Sequence, residues 1–167
     1  MELKINLGFG NTFSKGMYMN TLSNVEILKI LKDYGISING IFSKDLLPIK
    51  LENGWYIVNL QNHNEGNGTH WVCCYKNDLG KSIYSDSFGI CPPTNLEIFL
   101  KPFIFNNREI QNLESSCCGW FCIALIKYIE ANKKKASLPI LMKRFSNGFS
   151  KNTILNDGLL KSKLINF

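Results

Sequence analysis

Three runs in the middle of the chain are rich in aromatic and β-branched residues: 54–60 (G-W-Y-I-V-N-L), 70–76 (H-W-V-C-C-Y-K) and 81–86 (K-S-I-Y-S-D). A Gly/Asn loop at 62–69 parts the first two and a turn at 77–80 parts the last two. Consecutive strand formers with short polar connections predict an antiparallel meander. Ahead of it, residues 22–33 place apolar side chains at 22, 25, 28 and 31, with 27 and 30 beside them. That is the pattern of an amphipathic helix, with Thr21 or Ser23 as cap and Gly35 as stop. Residues 36–42 read as a short strand or a turn around Gly40, and 43–48 as a loop. Beyond the meander, 95–100 suits a short helix, 103–111 a strand leading into the next element, and 138–145 a last helix. Residues 1–20 read as an arm or loop, and 149–167 carry no assignable period.

The longest apolar run lies at 120–129, where only Lys127 is charged. It is too short and too interrupted for a membrane span and reads as a helix buried in a core. Ser115 and Ser116 stand where an N-cap belongs, which puts Cys117 and Cys118 at or just inside the helix start. There the free N–H groups and the positive end of the dipole favour a thiolate over a thiol. Gly119 removes a side chain next to Cys118 and would let a substrate backbone approach. The ordinary alternative is that these cysteines are small core hydrophobes.

A length of 167 residues, with 45% hydrophobic and 19% charged, predicts one globular domain over 1–167. Without a secretory leader pattern or an apolar run of membrane length, the expected setting is soluble and intracellular. Four of the six cysteines form two adjacent pairs, 73/74 and 117/118, no C-x-x-C occurs, and His63 and His70 are the only histidines. This suits free thiols better than a disulfide framework or a zinc site. The net charge of +6 is uneven: from Lys127 onward nine Lys/Arg face two Asp/Glu. Such a basic quarter can attract nucleic acid non-specifically, or can be a solvated surface.

A cysteine nucleophile needs a base, the base an orienting acceptor, and the oxyanion its donors. His70 opens the second strand and Asp86 closes the third, sixteen residues on. If the two pair about the 77–80 turn, both emerge at the same sheet edge, within reach of a hydrogen bond. Gln111, seven residues before Cys118, offers an amide N–H to an oxyanion, and the Cys118 backbone N–H is the natural second donor. His63 sits in a polar loop with no partner in register, and reads as structural. Each residue alone has a plainer reading: a structural histidine, a turn-forming aspartate, a surface glutamine, a core tryptophan at Trp71.

Taken together, G-T-H-W at 68–71, Y-S-D-S-F-G at 84–89, Gln111 and C-G-W-F-C at 118–122 resemble the adenovirus maturation protease (adenain) and the clan it shares with SUMO-deconjugating proteases. The layout is most similar to cysteine proteases of virophages, Polinton-like viruses and related large DNA viruses. The resemblance covers roughly residues 50–130. It implies an α+β, papain-like/adenain-like fold, with a central, mainly antiparallel sheet packed on the helix that carries the cysteine. It implies Cys118 as nucleophile, His70 as base and then acid, Asp86 as its orienting group and Gln111 as oxyanion donor, with Trp71 and Gly119 bordering the substrate. The Cys-Gly-x-Phe frame selects Cys118 over Cys117. The implied activity is cleavage of viral capsid or virion precursors at glycine-containing sites, in the host cytoplasm or virus factory and in the virion. No metal or cofactor is expected, while activation by DNA or a peptide, as in the adenovirus enzyme, stays open. The His-to-Cys spacing of 48 residues is shorter than in that enzyme. Two alternatives remain: a deconjugating protease for ubiquitin-like proteins, and a non-enzymatic, basic, nucleic-acid-binding virion protein.

Overall fold

A computed structural model describes residues 19–166. The expected arm over 1–20 therefore lies outside the described residues, except for Met19 and Asn20. The order of elements is α1 (Asn24–Asp33), β1 (Gly40–Ser43), β2 (Gly54–Asn59), β3 (Trp71–Lys76), β4 (Ser82–Ser85), α2 (Thr94–Leu100), β5 (Phe103–Phe105), α3 (Cys118–Asn132), α4 (Leu138–Asn147) and α5 (Asn156–Asn166). The fold is α+β. The strands form one sheet in the order β1-β2-β3-β4-β5.

The three central strands are the expected meander, β2 and β4 each pairing antiparallel with β3. The outer strands correct the mainly antiparallel expectation: β1 runs parallel to β2, and β5 parallel to β4. The sheet is mixed because each outer strand reaches its neighbour by a crossover rather than a hairpin, and 94–100 fills the second crossover with α2. The strand expected over 103–111 stops at Phe105, so Gln111 sits in a loop.

Alternation along β3 sends its side chains to two cores. Trp71 and Cys73 pack with α1, α3, α4 and α5, whereas Val72 and Cys74 join Tyr56, Val58, Tyr84 and α2 on the other face. Helix α3 is the centre of the first core, buried from Cys118 through Ile126. Lys127 escapes burial by donating to the Leu164 carbonyl (2.8 Å), with its ammonium 3.9 Å above the Tyr34 ring.

Helix α1 starts at Ser23 with a capping box: Glu26 N–H donates to the Ser23 hydroxyl, and the Ser23 N–H to the Glu26 carboxylate. Its buried face is Ile27, Ile30 and Leu31, while Val25 and Leu28 are exposed. A strict three-residue spacing drifts around a 3.6-residue helix, so the 22/25/28/31 row does not define the inner face. Between Met19 and Leu22 the chain crosses the start of α3. There the Met19, Asn20 and Leu22 carbonyls accept from the Cys117 thiol (3.5 Å), the Trp120 indole (3.0 Å) and the Trp71 indole (2.8 Å). The unassigned segment 149–167 contains α5, which returns against α3.

Candidate active site

The β3–β4 register pairs Cys73 with Ser85, so His70, just ahead of β3, and Asp86, just past β4, leave the same edge. The His70 Nε2 lies 2.8 Å from Asp86 Oδ1, as the spacing predicts. A carboxylate accepts only, so Nε2 carries the proton and Nδ1 is left for another partner. Asp86 is 1% exposed and is fixed on three sides. Its Oδ1 also accepts from Phe88 N–H (2.8 Å). Its backbone N–H donates to Asn106 Oδ1 (3.0 Å), and the Asn106 amide donates to its carbonyl (2.6 Å). The Phe88 ring stacks on the imidazole, centroids 4.6 Å apart.

Cys118 is the first residue of α3 and is buried. Burial pushes its thiol up. The His70 ring hydrogen-bonded to it, with the backbone N–H groups of Trp71 and Gly119, outweighs that and brings the pKa below the ordinary thiol value. The opposite holds one residue earlier, where burial pushes Cys117 up to about 12. For His70, burial works against the charged ring, but the Asp86 carboxylate and the Cys118 sulfur raise its pKa to about 9. The two shifts run in opposite directions, each favouring the charged form of its group.

The cap at α3 differs from the expectation. Cys117, not Ser115 or Ser116, is the N-cap residue, and it makes no side-chain cap bond. Ser115 acts one step back, its hydroxyl accepting from Cys117 N–H (3.2 Å). As the first residue of a helix, Cys118 has an N–H with no intrahelical acceptor, open to a negative charge beside the sulfur. Gln111 is buried and bonds to the segment just ahead of that helix start. Its Oε1 accepts from the Ser87 hydroxyl (2.6 Å) and its Nε2 donates to the Ser115 carbonyl (2.6 Å). That network fixes the amide with its NH₂ toward the residues leading to Cys118 and leaves one of its two hydrogens uncommitted to Ser115.

Trp71 is mostly core, yet it also borders a groove of about 350 Å³ shared with Ser23, Phe42, Leu46, Asn59 and Gly68. Gly119 is a correction. A Cβ there would meet Ile27 and Leu22 at 3.3 Å and Trp71 at 3.4 Å, so the space beside it is filled by protein rather than left for a substrate. His63 also differs, for it has a partner: its Nδ1 lies 2.6 Å from Asp45 Oδ2 on the exposed surface. Among the described residues, no three His, Cys, Asp or Glu gather in a way that would hold a metal ion.

Asn106 and Asn59 carry no signal in the sequence, and Ser87 none beyond its place in the D-S-F-G box. Asn59 Oδ1 accepts from Gln61 N–H and Thr69 N–H and so shapes the loop that delivers His70. Gly68, at φ +97°, passes so close to the Asn59 amide that a side chain would collide with it. Gly89, at φ +74°, closes the D-S-F-G turn with its Cβ position 2.6 Å from the Arg108 backbone. Both boxes thus need glycine for backbone reasons.

Comparison with protein-family models and with curated proteins returns no match. Among solved structures, the chain is similar to one titled "AvrA delL154 with IP6, CoA", at a TM-score of 0.45 and 17% identity. The match covers 72% of this chain and 52% of that one, so the chain spans about half the length of its structural neighbour.

Proposed function

We propose that this protein is a cysteine endopeptidase, with Cys118, His70, Asp86 and Gln111 as its catalytic residues. The observation that carries the reading is the contact of Cys118 with a His70 ring anchored on buried Asp86, which lowers one pKa and raises the other. A buried thiol whose ionisation is favoured by the imidazole beside it is set up for attack on a carbonyl rather than for packing. The sulfur adds to the scissile carbonyl carbon, and the carbonyl oxygen takes the negative charge. The Cys118 N–H and the Gln111 amide face that oxygen. His70, which holds the proton on Nδ1, gives it to the departing amine as the C–N bond breaks. A thioester on Cys118 remains. His70 then takes a proton from water, whose oxygen displaces the sulfur and releases the acid. Asp86 accepts from Nε2–H throughout and keeps the ring in place.

For the substrate, we propose an extended segment with glycine near the scissile bond, entering past Trp71 along the adjoining groove. The likeness of the H-W, D-S-F-G and C-G-x-F boxes to the adenain type supports virion precursors as the natural substrates. The same likeness supports a role in virus factory and virion, and the excess of Lys and Arg from Lys127 onward supports DNA as a non-specific partner.

The test combines a glycine-ending electrophilic peptide probe with a panel of glycine-containing peptides, with and without DNA. Adduct formation confined to Cys118 among the six cysteines, and peptide cleavage that Cys118→Ala abolishes, is the expected result. A Cys118 no more reactive than the rest, with DNA present and no cleavage, would overturn the reading. Faster cleavage of a ubiquitin-like adduct than of any peptide would move the substrate to deconjugation.

A further inference from the structure

Helix α5 plays no part in the catalytic scheme above, yet its first two residues grip both ends of the loop that carries Gln111. Buried Asn156 donates its amide to the Ile110 carbonyl (2.9 Å). The same side chain is itself locked, accepting from Ser150 N–H (2.8 Å) and donating to the Ser150 carbonyl (3.0 Å). Asp157 accepts from the Ser115 hydroxyl (3.0 Å). Ser115 is also the residue whose carbonyl takes the Gln111 amide and whose hydroxyl holds Cys117 N–H. The near end of the loop has a second tie, since Ile110 and Gln111 N–H both donate to the Ser87 carbonyl. The far end, at Ser115, depends on Asp157 for its only link to another helix among the hydrogen bonds described.

We propose that Asn156 and Asp157 are positioning residues for the oxyanion site, with the start of α5 acting as a clamp on residues 110–117. This rests on the hydrolase reading above and deepens it. Among the hydrogen bonds described, none joins Asn156 or Asp157 to Cys118 or His70; the shift at Cys118 comes from burial, His70, Trp71 and Gly119. The clamp therefore sets where the Gln111 donor and the Cys118 N–H stand, not whether the sulfur is ionised. An oxyanion donor displaced by a fraction of an ångström stabilises the transition state less, while substrate binding is unaffected.

Asp157→Ala in the full chain is expected to lower kcat about tenfold with KM within about twofold, a partial loss on the scale of one donor. Alkylation of Cys118 by iodoacetamide should keep its wild-type rate. Asp157→Asn, which keeps an oxygen acceptor for Ser115, should restore turnover. Ser115→Ala combined with Asp157→Ala should cost no more than the worse single variant, the sign of one shared interaction. Hydrogen exchange followed by mass spectrometry should show residues 110–117 losing protection in Asp157→Ala. Unchanged exchange there, unchanged kcat, or alkylation falling in step with kcat would each overturn the clamp. If the wild type cleaves no peptide, the hydrolase reading fails on its own, and the exchange comparison still decides whether α5 holds the loop.

Discussion

Replacing His70 by alanine isolates what the imidazole does for Cys118. In the wild type, burial raises the thiol, and His70 together with the N–H groups of Trp71 and Gly119 more than offsets it. Without the ring, burial remains, opposed by the N–H groups of Trp71 and Gly119. Cys117 shows what burial, with a smaller push from Asp157, does to a thiol at this helix start without a histidine beside it, a pKa of about 12. Moving a thiol from the ordinary value of about 8.5 to about 12 cuts its thiolate fraction at neutral pH roughly 3000-fold. The greater nucleophilicity of the more basic sulfur returns roughly 40-fold, so the net loss in alkylation rate is on the order of a hundredfold. That makes a natural assay, because Cys91 is exposed and serves as an internal standard. Iodoacetamide at limiting dose, read by peptide mass spectrometry, should label Cys118 ahead of Cys91 in the wild type and far behind it in His70→Ala. Equal labelling of Cys118 in the two proteins would refute the coupling and leave only the helix start to explain a reactive sulfur.

Cys117→Ser should keep most peptide cleavage while Cys118→Ala abolishes it; the reverse result in matched cleavage assays would reassign the nucleophile. Gln111→Ala should lower kcat by about a hundredfold or more at little change in Cys118 alkylation, since it removes the proposed oxyanion donor and no part of the Cys118–His70 pair. The kcat/KM profile should fall on its alkaline side as the His70 ring, held protonated to about 9, loses its proton, and on its acid side below the ordinary thiol range. The same raised pKa adds stability that is complete below the ordinary histidine range and fades as pH rises through about 9, which urea titrations across that window would follow. Gly89→Ala meets the Arg108 backbone at 2.6 Å with φ at +74°, and should cost about 2 kcal/mol or more in urea unfolding.

Much of the candidate site was legible because it is local geometry. A sixteen-residue step around a turn brings His70 and Asp86 together on paired strands, and a Cys-Gly before an apolar run puts Cys118 at a helix start. What could not be read depends on contacts between distant segments. Asn106 supports Asp86 from twenty residues away, and Asp157 reaches Ser115 from 42. An asparagine or aspartate in a loop looks the same whether it caps, turns or braces. The parallel outer strands were hidden for a related reason, since β1 and β5 are short and their direction follows from crossovers, not from their own pattern. Gly119 reads toward the substrate in the sequence because its neighbour is the proposed nucleophile, whereas helical geometry turns its open side to Ile27 and Leu22.

The β3–β4 turn stands at the end of the hairpin away from His70 and Asp86. Some six residues of strand separate them, or roughly 20 Å. Leu79 at its tip is 96% exposed. Anything grafted at that tip leaves the pairing of Cys73 with Ser85 untouched, provided its own ends lie close together. Residues 78–79 are therefore an engineering port: a fluorescent reporter, an affinity tag or a targeting domain inserted there would travel with the protein while the opposite edge of the sheet keeps its alignment.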